Sequence, residues 1–493
     1  LGTILSDTQS YFQVFNAWKS LNDTLTDLVL SGQGYEGTTV TLTITGQDYT
    51  VALPIALNAL QHYRFDFTVQ GSGENTIDFD VQPVVASARE FPSFNVIGSR
   101  SLIFPFIPQQ PVSETIEFLT GVMMSKDGTE SRMSERTNAR QGYGMTYLID
   151  NTETEMMQNA QALVLGNSGV PMGVGMWHQT RQLDADAAPG DLDILVDTSD
   201  LDFREGGYAL LWNDWNDTEV VNIDSVLADR IVSVSQLEKT WTTQTYIVPV
   251  QLCVAADMPK LSRTMNNTSS LNITWESQDN ADIADSSLYS TEYLGMPVFD
   301  DAHLMSGGKL NEQWQSDMFT HDNKIGDRAY LLNRPTRQNT NKFWDVDHMS
   351  DVMALRKFFY WTRGQQKSFW MPTNRADLTI KPGVAIGAGD ADVEFIDTGF
   401  VRNMGVAEPW NHVRVTLNDG TIFYREIMSG ANDTVTGIDT LTISPSFGVA
   451  FSSDDVAEVS FLALCRMGKD DMTLKHTGQG RASTTMALTG VKQ

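Results

Sequence analysis

Cations are in short supply in this chain: 34 Lys and Arg stand against 62 Asp and Glu, for a net charge of −28. A nucleic-acid partner needs a basic face to neutralise phosphate, so that class is excluded, and an anionic membrane surface is disfavoured for the same reason. Cysteine is nearly absent. Cys253 and Cys465 lie far apart with no paired CxxC spacing, and no zinc site follows. No apolar run approaches the ~20 residues of a membrane span. The opening "LGTILSDTQSYFQVF" has neither a basic n-region nor a continuous apolar h-region, so the expectation is a protein made and assembled without Sec export. Catalytic signatures are missing too: there is no GxSxG elbow, no HExxH and no Walker loop, and the seven histidines are scattered. No catalytic, cofactor-binding or metal-ligating residue is nominated, and a non-enzyme is expected.

What is present points to β structure. At 493 residues the chain is too long for one core, and two to four domains are expected. Low charge density, 37 glycines and many Thr, Asn and Ser favour β-rich, loop-rich folds over helical bundles. Residues 1–98 alternate as half-buried strands do ("TTVTLTITGQDYTVAL", "YRFDFTV"), which predicts a β-sandwich-like domain. "FPFIPQQPVSET" (104–115) reads as an extended connector and "MNNTSSLNITWESQDNADIADSS" (265–287) as an exposed crossing.

The rest is written twice. "TYLIDNTETEMMQNAQALVLGNSGVPMGVGMWHQTRQL" (146–183) parallels "FWDVDHMSDVMALRKFFYWTRGQQKSFWMPTNRADL" (343–378). Each has an aromatic stretch ending in aspartate (Asp150, Asp347), then a helix. Thr152 and Glu155 have capping-box spacing before an apolar face of Met156, Ala160, Leu163 and Val164; Ser350 is the expected cap before Val352, Leu355 and Phe359. Gly166 and Gly364 are the expected left-handed stops. A strand bearing Trp177 or Trp370 follows, and each tryptophan is expected to plug helix against sheet. Further on, "GDLDILVDT" (190–198) matches "GDADVEFIDT" (389–398). "TYIVPVQLCVAADMPKL" (245–261) matches "VAEVSFLALCRMGKDDMTL" (456–474), which makes Cys253 and Cys465 equivalent, buried and reduced.

The expected architecture is therefore a β-rich α+β fold: a β-sandwich-like N-terminal domain (1–98) followed by two homologous α+β modules, 101–275 and 296–493. Upstream of each helix, "DGTESRMSERTNARQ" (127–141) parallels "NKIGDRAYLLNRPTRQ" (323–338), so Arg136 and Arg140 are answered by Arg334 and Arg337. These cations serve either as salt bridges within each module or as contacts between subunits. The aspartates 191, 193, 197 and 390, 392, 397 read as charged strand edges; a calcium site is the other reading.

"IEFLTGVMMSKDGTESRMSERTNARQ" (116–141) resembles a motif of tail-tip proteins from long-tailed bacteriophages, which typically reads "LTDV…DGTEQR…R…PRQ" before a helix and "F.VP.W". "LRKFFYWTRGQQKSFWMPTNRADL" resembles the downstream companion, in which "RGR…FW.P" precedes "DL". The resemblance covers about 100–490. Here "TGV" stands for "TDV", "ESR" for "EQR", and the proline of the first copy comes early, at Pro171. The resemblance implies a structural component of the virion tail tip, assembled in the host cytoplasm. Its partners would be itself, in a threefold or sixfold ring, together with the tail tube and other tail-tip or hub proteins. A receptor- or carbohydrate-binding adhesin is the alternative, and a polysaccharide-degrading tail enzyme ranks below it.

Overall fold

The computed structural model describes residues 3–492 except 7–10, 16–21, 34–38, 45–46, 51–52, 60–61, 69–75, 88–92, 126–128, 151–153, 167–168, 266–267, 286–290, 301–310, 316–317, 323, 332–336 and 408. The fold is β-rich α+β, built from strands that pair antiparallel almost throughout, with two α-helices among the described residues. None of the described helices is long and apolar enough to cross a membrane. The chain forms two compact units: unit 1 holds 1–109 and 144–279, unit 2 holds 110–143 and 280–493.

Unit 1 begins with strands β1 (Thr3–Ser6), β2 (Tyr11–Phe15), β3 (Asp23–Gln33), β4 (Thr39–Ile44), β5 (Gln47–Thr50), β6 (Ile55–Leu57), β7 (His62–Thr68), β8 (Thr76–Val85) and β9 (Phe94–Phe104). They make two sheets, ordered β1-β9-β8-β3-β6 and β2-β7-β4-β5. The end of β9 runs on into the rest of the unit, where Ile103 and Phe104 pair in parallel with Gly173 and Val174.

Next come β10 (Gln109–Glu117), β11 (Thr120–Met124) and β12 (Glu130–Ser134), which pass into unit 2, and β13 (Arg140–Asp150), which returns. The remainder of unit 1 is helix α1 (Thr154–Gly166), β14 (Met172–Gly175), β15 (Arg181–Gln182), β16 (Asp193–Leu195), β17 (Tyr208–Asp214), β18 (Asp217–Leu227), β19 (Arg230–Ser233), β20 (Tyr246–Ala255), β21 (Lys260–Met265) and β22 (Thr268–Ser277). A meander β16-β19-β18-β17-β20 is joined through β20 to β14 and to β22, and β22 also pairs with β21 and β13.

Unit 2 has β23 (Glu292–Tyr293), β24 (Met296–Pro297), β25 (Asn311–Gln315), β26 (Met318–Asp322), β27 (Asp327–Leu331), β28 (Arg337–Val346), helix α2 (Met349–Thr362), β29 (Phe369–Pro372), β30 (Ala385–Ile386), β31 (Asp392–Ile396), β32 (His412–Leu417), β33 (Ile422–Asp433), β34 (Ile438–Ser444), β35 (Phe451–Ser452), β36 (Val456–Met467), β37 (Asp471–Gly478) and β38 (Arg481–Gly490). Its meander is β31-β34-β33-β32-β36, joined through β36 to β29 and β38, with β38 also pairing β37 and β28. The meander and its joins follow the same pairing order as those of unit 1, while β10–β37, β25–β28 and β30–β35 are pairings of unit 2 alone.

Period-two burial explains these strands. In β38, Ala482, Thr484, Met486 and Leu488 face inward while their neighbours face out. The meander of unit 2 closes on Val393, Phe395, Val413, Val415, Leu441 and Phe461. Its β32–β33 hairpin turns at Gly420, whose φ of 87° lies in the left-handed region that a side chain would disfavour.

Several expectations need correcting. The segment 265–287 is not an exposed crossing: Leu271, Ile273 and Trp275 are buried on β22, and its alternation was hidden by polar outward positions. Ser350 does not cap α2, because the helix starts one residue earlier behind His348. The left-handed stop there falls first on Arg363 (φ 51°) and only then on Gly364 (φ 60°), whereas Gly166 ends α1 in helical conformation. Thr152 lies outside the described residues. The apolar faces are as expected, with Ala160, Leu163 and Val164 buried on α1 and Val352, Leu355 and Phe359 on α2.

Register also separates the two repeated pairs. Cys253 lies opposite Met172 and Cys465 opposite Phe369, each on the strand that receives the post-helix strand. By that register Trp370 corresponds to Gly173. Trp177 sits instead in a 3-10 turn, Trp177–Gln179, beyond the strand's end.

Candidate functional site

The segment 110–136 belongs to unit 2 as a strand and a hairpin, and several of its polar side chains are bonded within that unit. β10 adds to the edge of β37, with Val112 opposite His476, Glu114 opposite Leu474 and Ile116 opposite Met472. Alternation sends Val112, Glu114 and Ile116 inward. Glu114 is fully buried, and it lies between Arg356 Nη2 of α2 at 3.0 Å and His476 Nε2 of β37 at 2.9 Å. Arg356 is itself only 1% exposed. A guanidinium and a carboxylate removed from water each carry a desolvation cost of several kcal/mol, which their contact offsets only while both remain.

Past β10 the chain turns over the end of α2. Phe118 packs its ring 5.9 Å from Phe359 and 5.7 Å from Tyr360, and its amide donates to the Asp470 carbonyl. The Asp470 carboxylate accepts from the Thr120 amide at 2.7 Å and from the Gln365 amide at 2.9 Å. That carboxylate comes up against Gly364, where an added Cβ would strike Asp470 and crowd Phe118. Gly364 thus makes room for a close approach as well as supplying its left-handed turn.

The hairpin β11–β12 is clamped by arginine. Arg466 forks onto Glu130 at 2.8 and 3.1 Å and donates to Gln365 Oε1 at 2.8 Å. Arg132 donates to Ser368 Oγ at 2.8 Å. Burial pulls the Arg132 pKa below its ordinary value; Glu130 opposes that shift and the neighbouring Arg466 adds to it. Bidentate pairing of this kind fixes geometry as well as charge. Strand β10 and the β11–β12 hairpin therefore form a clasp within unit 2.

Of the four nominated arginines, Arg136 is placed within the clasp. It donates to the carbonyls of Glu117 and Phe118 at 3.2 and 3.4 Å and meets the Glu117 carboxylate at 3.3 Å. Arg140 is exposed at the start of β13. Arg337 opens β28 opposite Gln315, and Arg334 lies outside the described residues.

Trp370 is buried, but its cluster holds no residue of α2; the neighbouring Phe369 is the strand residue that meets Phe358 of the helix. The Trp370 ring lies 5.3 Å from Tyr293 and 4.6 Å from His412, with Leu462 and Leu464 completing the cluster. Trp177 packs in unit 1 beside Trp212, Leu210 and Val248. Both cysteines are buried free thiols, and burial pushes the Cys253 pKa well above the usual thiol range.

The aspartate runs close turns in matching ways. Asp191 Oδ2 accepts from the Ala188 amide at 2.7 Å, and Asp390 Oδ2 accepts from the Gly387 amide at 2.6 Å. Asp197 Oδ1 accepts from Ser199 N, and Asp397 Oδ1 from Gly399 N. A cleft of about 320 Å³ in unit 2 is lined by Phe400, Trp410 and Phe461 with Asp377 at its edge. The Asp377 carboxylate is taken up by Arg375, Thr373 and the Phe461 amide.

Sequence reasoning missed Glu114, Arg356, Glu130, Arg466, Asp470 and His476. One signal was available: Arg356 follows Val352 by one helical turn on the apolar face of α2, where an isolated cation requires a buried partner. No known protein-family profile matches the chain, and no curated protein matches it.

Proposed function

We propose that this chain is a structural protein of a bacteriophage tail tip, with its N-terminal sheets forming a sandwich-like domain and the rest arising by internal duplication. The observation that carries the reading is the repeated pairing order: β13, α1, β14 and the β16–β22 strands are answered by β28, α2, β29 and the strands β31–β34 and β36–β38. The equivalent registers of Cys253 and Cys465 support it. So do the matching aspartate turns. The tail-tip assignment itself rests on the resemblance of 116–141 and 355–378. The role of that segment as a clasp, with its charges spent on holding structure, is in keeping with assembly rather than catalysis.

Two similar modules per chain suit a ring. A threefold ring would present six quasi-equivalent contacts to a sixfold tube, and a sixfold ring would present twelve. The partners are other copies of the chain, the tail tube and neighbouring tip or hub proteins, and the location is the virion. Negative-stain imaging of the purified chain, with sedimentation velocity on the same sample, is expected to give closed rings of three or six copies. A chain that stays monomeric at tens of micromolar and binds a defined glycan would overturn this in favour of the adhesin.

A further inference from the structure

The two sheets differ at one edge. In unit 2, β37 is covered by β10, and Met472, Leu474 and His476 are buried. In unit 1 the equivalent strand is β21, which pairs with β22 as β37 pairs with β38. Counting along the ladders from Cys253↔Ser277 and Cys465↔Gly490 places Leu261 with Leu474, Ser262 with Lys475 and Arg263 with His476. Among the described residues β21 has no strand on its other side, and Lys260, Ser262 and Arg263 are exposed. An open strand edge is a template for another strand.

The chain carries a second copy of the covering element. β25 is followed after two residues by the hairpin β26–β27, as β10 is followed after two residues by β11–β12. Glu312 stands six positions before β26, as Glu114 stands six before β11. β25 pairs with β28 along one edge, and among the described residues no strand pairs along its other edge. The position that answers His476 is a cation, Arg263, so an acid arriving on this second element would meet an opposite charge.

We propose that β25 of one copy adds antiparallel to β21 of a second copy of this chain, setting Glu312 against Arg263. The contact extends the assembly reading above and depends on it, together with the equivalence of the two modules. Donor and acceptor are different surfaces of one chain, so the contact is heterologous and propagates into a ring or a filament.

The test uses the full chain in sedimentation velocity. R263E and E312R are each expected to raise the concentration for half-assembly at least about tenfold, and the double variant R263E/E312R to bring it back to within about threefold. Thermal melts of the unassembled variants should match wild type, since Arg263 is exposed. As a second arm, a chain carrying both Ser262→Cys and Asn311→Cys should form disulfide-linked dimers and higher ladders under oxidation, because these positions face each other in the inferred register. A wild-type chain that assembles with both single variants unaffected and no ladder overturns this contact and leaves the ring standing. Single variants that fail without rescue by the double variant overturn the charge pairing. A wild-type chain that never assembles overturns both proposals.

Discussion

Helix α2 is enclosed and helix α1 is not. Ten of the fourteen residues of α2 are buried, Arg356 among them, whereas α1 leaves Leu165 63% exposed at its end. Each helix follows a long strand and precedes the short strand that pairs with the cysteine-bearing strand, and each buries apolar side chains. The difference comes from the covering layer: Phe118 and Glu114 of the clasp complete the surroundings of α2. Two sheets with the same order of strand pairing can thus carry unequal surfaces, and the inequality is where a specific contact can be sought.

The largest break of this comparison is Glu114→Ala. It removes a buried carboxylate from Arg356 and His476 and should cost about 3–5 kcal/mol, read as a lower denaturant midpoint at unchanged slope. The corresponding Glu312→Ala should leave the unassembled chain within about 0.5 kcal/mol of wild type. Equal losses from the two would mean that the second element is also clasped within its own chain.

A smaller effect is expected at Arg136. Its carboxylate partner, Glu117, is half exposed and its other contacts are carbonyls. Arg136→Ala should cost about 1 kcal/mol or less in the melt. If it weakens assembly beyond that loss of stability, the cation also serves a neighbouring subunit; if assembly falls only in proportion to folding, it is a strut of the clasp.

The smallest effect sharpens the equivalence of the modules. The Asp197 pKa is lowered by its hydrogen bonds with Ser199, and the Asp397 pKa is lowered chiefly by Asn432 and then by the Gly399 amide. A depressed folded value means that each aspartate stabilises the fold above its unfolded pKa of about 3.9 and loses that contribution as pH falls through the folded value. Carboxyl titration by NMR should find both still ionised below the ordinary aspartate range. Asp197 and Asp397 titrating apart, with one at the ordinary value, would end the parallel at that turn.

Much of the scaffold was legible in the sequence because its signals are local. The helical spacing of Val352, Leu355 and Phe359 and the alternation of "YRFDFTV" each declare an element within a few residues. β22 escaped because Asn272, Thr274 and Glu276 masked the alternation of Leu271, Ile273 and Trp275. The tryptophans misled because residue identity was aligned where hydrogen-bond register decides: four residues separate Trp177 from the strand position, Gly173, that answers Trp370. The clasp was invisible for a different reason. Thr115 and Thr473 face each other across 358 residues of chain, and no local pattern announces such a partner.

That separation has a consequence for synthesis. β10 is complete once Glu117 has been translated, but its partner β37 does not exist until Gly478. At ribosomal rates of about 5–20 residues per second, roughly 20–70 s pass with an edge-forming strand made and its own acceptor still unwritten. During that interval a β37 from another ribosome on the same message, further along, is an equally good acceptor. Neighbouring nascent chains can therefore exchange clasps before either is released, and polysome density becomes a variable in how faithfully each chain closes on itself.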